Sequence, residues 1–173
     1  MKPSDLLAFA CLIVPQLIAA AGAPALWPAQ LSEPIYLAHV ATRLTTSVLI
    51  VARLFKWSPS FEKLQLALFL AGMPVIYLWC AALRGTASDV RTELLGLVLF
   101  APCAVLGHVR WSWLLPAGIA AHGFAWDVWH HGSSYVSDWY ANACLGVDIG
   151  FGLYGALLLW RDRSERRAAL TVS

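Results

Sequence analysis

The sequence predicts an all-α polytopic integral membrane bundle of about six transmembrane helices, and three observations predict it. Apolar residues make up 60% of the chain and charged residues only 13%, against roughly 45–50% and about 25% in a soluble domain. Mean hydropathy is +0.66. The apolar residues also gather into segments near the ~20 residues that a helix needs to cross the hydrocarbon core. At 173 residues the chain has room for one transmembrane domain, residues 1–173, and no separate soluble unit.

The spans follow from local signals. The first, about 5–26, has Asp5 beside its apolar run and Pro15 inside it. Lys2, the apolar core and the small-residue run Ala19–Ala25 also fit a cleavable signal peptide. The acid and the weak basic start favour a retained helix. The second span, about 34–55, opens at Ser32-Glu33-Pro34, an N-cap followed by a first-turn acid and a proline. The third, about 62–83, contains Pro74, which predicts a kink that neighbouring helices must re-satisfy. The fourth (about 89–108), fifth (about 113–131) and sixth (about 138–160) begin at Ser88-Asp89, Ser112 and Ser137-Asp138, all capping residues.

Basic residues set an orientation. With the N-terminus inside, the inner segments hold Lys2, Arg53, Lys56, Lys63, Arg110, Arg161, Arg163, Arg166 and Arg167, while the outer loops hold Arg84 and Arg91. That bias places both termini in the cytoplasm, in what reads as a bacterial cytoplasmic membrane. The tail Arg161–Arg167 reads as an inner-surface anchor. A net charge of +2, with the cations at helix ends, gives no reason to expect nucleic acid. The cysteines, Cys11, Cys80, Cys103 and Cys144, lie in apolar segments without CxxC spacing. They read as small buried hydrophobes, with Cys144 set apart by lying four residues before Asp148.

Ionisable residues inside spans are expensive and mark function by default. At ~1.5 Å per residue, Glu93 and Asp127 lie ~6 Å below the outer surface, His39 ~8 Å, and Arg43, His122 and Asp148 ~14–15 Å. His130 and His131 lie near the outer end of the fifth span and His108 at an inner end. The outer half therefore carries the chemistry, and the inner half of the core is expected to be nearly bare. On a helical wheel Asp127, His130 and His131 share a face, whereas His122 falls about 140° from Asp127. Glu93, Asp148 and His39 are candidates to complete a site from facing helices. Gly146 and Gly150 form a GxxxG pattern around Asp148 that suits close helix approach.

These residues define the candidate site. Glu93, Asp127 and Asp148 are the candidate acid–base residues. His122, Asp127, His130, His131 and Glu93 are the candidate ligands, an N/O donor set suited to zinc or iron. Trp126, Trp129, His39 and Arg43 are candidates to line a pocket. Structural alternatives are core packing for the tryptophans and an ion pair of Arg43 with Asp148 or Glu93.

Glu93, His122, Trp126, Asp127, His130, His131 and Asp148 together resemble a family of small bacterial integral membrane proteins of unknown function. That family carries a His…Trp-Asp-x-x-His-His signature, its first histidine four residues before the aspartate. Here the separation is five. The resemblance implies a site without naming a reaction.

The leading reading is a membrane-embedded enzyme with a His/carboxylate site, metal-binding in one version, acting on an apolar or lipid-like substrate. A metal-free acid/base enzyme similar in kind to terpene cyclases is the alternative chemistry. Metal or proton transport, haem ligation by paired histidines and a structural subunit of a membrane complex are the remaining classes.

Overall fold

A backbone in hydrocarbon has to satisfy its own polar groups, which leaves the helix as the natural unit of so apolar a chain. The computed structural model describes residues 3–21 and 33–172, and among them every regular element is helical. In chain order these are α1 (Pro3–Ala21), α2 (Glu33–Leu54), α3 (Pro59–Arg84), α4 (Ala87–Val109), α5 (Leu114–Ala121) and α6 (Asp138–Val172). A π-helical turn, His122–Asp127, continues α5 without a break. Helices α3, α4 and α6, the last over Asp138–Ser164, are long and apolar enough to cross a membrane. The end of the predicted first span, and Ser32, lie outside the described residues.

Element starts differ from the sequence reading in instructive ways. Helix α4 is capped by Thr86, not Ser88. The Thr86 hydroxyl accepts from the Asp89 backbone N–H, and the Asp89 carboxylate accepts from Thr86 N–H at 2.6 Å. This capping box satisfies donors that the first turn leaves free. Ser112 is not the N-cap of α5, which starts at Leu114 after Trp113 with no side-chain cap. Helix α3 runs through the buried Pro74 unbroken.

Buried stripes show which faces meet. On α4 the stripe is Glu93, Gly96, Phe100, Ala104 and Gly107, the three-and-four spacing of one helix face. On α3 it includes Glu62, Leu66, Leu70, Pro74, Tyr77 and Ala81. Helix α3 packs along α4, α1 along α6, and α6 also covers α5 and the π turn. Between α3 and α6, Glu62 meets Tyr154 while Tyr77 meets Tyr140, so the two helices are antiparallel. Their apolar middle is filled by Leu66, Leu70, Val147 and Phe151, which belong to one core with Leu12, Leu49, Leu115 and Ile119.

The end of the bundle at the first turn of α3 carries a polar network. The buried Glu62 carboxylate accepts from the Tyr154 hydroxyl at 2.5 Å and from Arg53 at 3.3 Å. Asp5 accepts from Arg161 at 3.0 Å, with Arg53 Nε 3.8 Å away. Lys63 pairs with Asp162 at 3.2 Å. Arg161 and Asp162 therefore tie α6 to α1 and α3, which corrects the anchor reading of this part of the tail. Helix α6 also continues to Val172, well past the predicted end at 160.

Arg53→Leu strands the Glu62 carboxylate in this network. Breaking a buried pair on one side costs about 3–5 kcal/mol, whereas replacing both partners by apolar groups is far less damaging. Thermal unfolding in detergent is expected to show a lowered midpoint for Arg53→Leu, recovered in part by Arg53→Leu/Glu62→Leu.

Candidate functional site

The site is built on the π turn. On an α-helix, side chains five residues apart point about 140° away from one another. A π turn closes i→i+5, and such turns are frequent at functional sites. Here it absorbs the five-residue separation and swings His122 onto the same side as Asp127. His122 Nδ1 lies 3.4 Å from Asp127 Oδ1 and 2.9 Å from Asp148 Oδ2 on α6. The wheel placed His122 at the edge of the face, and the π turn overturns that placement.

Close approach of α6 depends on Gly123 within the turn. A Cβ there would sit 2.8 Å from Asp148 Cβ, a distance that real contacts do not tolerate. Of the glycines on α6, Gly146 makes no close approach, since a Cβ there would meet nothing within 4 Å, whereas one on Gly155 would meet Pro116 at 3.2 Å. Gly96 on α4 has a similar purpose, because its missing Cβ is where the Trp126 indole lies, 2.5 Å from the position the atom would take.

His122, Asp127 and Asp148 each offer one ligand atom within 4.8 Å of the others. All three are closed to solvent, at 1%, 0% and 1% exposure. Tyr77 on α3 donates its hydroxyl to Asp127 Oδ1 at 2.7 Å, and the Phe100 ring meets His122 edge-on at 5.0 Å between centroids. Two buried atoms of the trio, His122 Nε2 and Asp127 Oδ2, have no hydrogen-bond partner. Buried polar atoms are nearly always paired. The Asp127 and Asp148 carboxyl groups also come within hydrogen-bonding reach of one another, so the trio is one connected group that is open in having ligand atoms left for something else.

A second constellation lies next to it and is closed. The Glu93 carboxylate accepts from Tyr135 at 2.6 Å and from the Trp126 indole at 3.0 Å. His130 Nδ1 donates to the Trp126 carbonyl at 2.6 Å, since a carbonyl can only accept, and Nε2 meets Glu93 Oε1 at 2.6 Å. One proton lies between imidazole and carboxylate, so the pair is neutral as a unit. Burial and the Glu93 carboxylate push the Tyr135 phenol up, which keeps it a donor. With both His130 nitrogens and both Glu93 oxygens engaged, neither residue presents a free donor atom to an ion. The structure thus separates Glu93 and His130 from the open trio and brings Asp148 into it.

The other candidates spread out. His131 is exposed in the turn after the fifth helix, Trp129 is exposed, and Trp126 is buried. Trp126 packs edge-on against Phe100 at 5.7 Å and Trp129 at 5.4 Å, so it serves as core and as Glu93's partner. Arg43 is exposed on α2; Asp148 is paired with His122 and Glu93 with His130, so the alternative of an Arg43 ion pair is not the one formed. The His39 side chain lies outside the described residues. His108 is exposed at the end of α4. Cys144 packs beside Tyr77 and Tyr140 without joining the ligand trio.

Tyr77 and Tyr135 were missed from sequence. Tyr77 is seven residues from the end of its helix, ~10 Å deep by the rise per residue. The depth count that grouped the ionisable residues would have found it had phenols been included.

Scans against protein-family models, curated proteins and solved structures give no match for this chain. Its function has to be argued from the site.

Glu93→Ala removes the shared acceptor of His130, Tyr135 and Trp126. Each buried group left unsatisfied costs about 1–3 kcal/mol. Denaturant or thermal unfolding in detergent is expected to show a loss above ~3 kcal/mol by the same accounting, with a smaller loss for Glu93→Gln.

Proposed function

We propose that this protein is a six-span enzyme of the bacterial cytoplasmic membrane, with both termini in the cytoplasm. Its centre holds a divalent cation, zinc or iron, on His122, Asp127 and Asp148, and its substrate is apolar or lipid-like. The observation that carries the proposal is the open trio: three buried ligand atoms within 4.8 Å, with His122 Nε2 and Asp127 Oδ2 lacking partners.

Charge balance favours a dication. Two carboxylates closed off from water by an apolar bundle carry a large desolvation cost unless compensated. A divalent ion on two carboxylates and a neutral imidazole leaves the unit neutral. Catalytic sites typically use three protein ligands and keep a further position open. Such an ion supplies Lewis acidity and a water activated near neutral pH. The chain's own part is to hold His122 and Asp127 on a π turn against Asp148 of α6, fix Asp127 with Tyr77, and exclude bulk water with Phe100 and Tyr140.

The apolar middle of the bundle supports an enzyme over a carrier. The polar network at Glu62 is ~22 Å along α3 from Tyr77 by the helical rise, and Leu66, Leu70 and Pro74 occupy the face between them. An ion or proton route needs polar stations along its length.

Elemental analysis of purified full-length protein is expected to give near-stoichiometric zinc or iron, lost in His122→Ala and Asp148→Asn and retained in His131→Ala. Active but metal-free protein would replace this proposal with acid–base catalysis by the paired aspartates. For the topology, a cysteine introduced at Ser134 is expected to react with an impermeant reagent added outside intact cells. Labelling only from the cytoplasmic face would invert the orientation.

A further inference from the structure

The geometry points to Tyr77 as the positioning residue that presents Asp127 to the metal, an inference that rests on the proposed metal centre. Tyr77 projects from α3 and donates to Asp127 Oδ1 at 2.7 Å. That bond engages one carboxylate oxygen and leaves the other, Oδ2, as the atom without a partner. A carboxylate held by one oxygen loses rotational freedom about its own axis, so the free oxygen is delivered in a fixed direction.

The phenol is itself held from several sides. Its ring packs 4.3 Å from that of His130 and 5.7 Å from that of His122, and meets Tyr140 at 5.9 Å between centroids. Tyr77 is almost wholly buried. It therefore lies between the closed Glu93–His130 pair and the open trio, and its own hydrogen bond is the one that holds Asp127. Hydrogen-bond partners that orient metal ligands typically change metal affinity by about 10–100-fold when removed.

Tyr135 provides an internal control. It makes the same kind of buried phenol-to-carboxylate bond, to Glu93 at 2.6 Å, in the constellation that offers no ligand atom.

The test uses full-length protein in detergent, with zinc affinity by chelator competition and the visible spectrum of the cobalt(II) form as readouts. Tyr77→Phe, which keeps the ring, is expected to bind zinc about 10–100-fold more weakly and to alter the cobalt bands. Tyr135→Phe is expected to leave both unchanged. Unchanged affinity and spectrum in Tyr77→Phe would overturn the inference, as would equal losses in both variants, which would signal general loosening. An unaltered protein that binds neither zinc nor cobalt sinks the metal centre itself, and the inference with it. Should Tyr77→Phe fail to fold, zinc titration of unaltered protein carrying 13Cζ-tyrosine decides: a single phenol resonance is expected to shift in step with occupancy, and no movement would overturn the role.

Discussion

The π turn at His122–Asp127 is the constraint on which the site depends. In a bundle with so few charged residues, each buried carboxylate needs a partner supplied by another side chain or a bound ion. An α-helical fifth segment would aim His122 and Asp127 in different directions and leave Asp148 facing only one of them. The π turn adds the residue that aligns the two, and Gly123 within it lets α6 come close enough for Asp148 to complete the group. Other features follow from holding that turn in place. Glu93 gathers Trp126 and His130 on either side of Asp127, and Gly96 makes room for the indole.

Two buried constellations a few residues apart thus have opposite characters. Around Glu93 the donors and acceptors match, and the proton between Glu93 and His130 leaves no net charge to solvate. Around Asp127 they do not match: acceptor-rich carboxylates face an imidazole with a free nitrogen. A matched network stabilises and specifies packing, while an unmatched one in the same apolar setting asks for a ligand. At the far end of α3, Glu62 accepts from Tyr154 and Arg53, while the Arg53 Nε in that network has no hydrogen-bond partner. The trio differs in holding a free imidazole nitrogen and a free carboxylate oxygen among its three clustered residues.

Much of the architecture was legible because it rests on composition and length. The helical class, the spans corresponding to α3, α4 and α6, and the convergence of acids from separate helices near His122 all follow from apolar runs and depth counting. The π turn was not legible, since periodicity assumes one residue angle throughout a helix. His122 therefore looked least secure, although it is the residue that contacts both aspartates. His130 and His131 looked alike in sequence, yet chain direction after Trp129 buries one and exposes the other. Their placement depends on Glu93 and Tyr135, partners distant in sequence. The Glu62 network stayed hidden because Glu62 falls at a span boundary, where a first-turn acid needs no buried partner to explain it.

X-ray absorption of the zinc-loaded protein addresses the central claim most directly, because it reads the ligand set itself. A centre on His122, Asp127 and Asp148 predicts one imidazole and otherwise oxygen donors at about 2.0–2.2 Å. Two or more imidazoles, or sulfur at about 2.3 Å from Cys144, would contradict it.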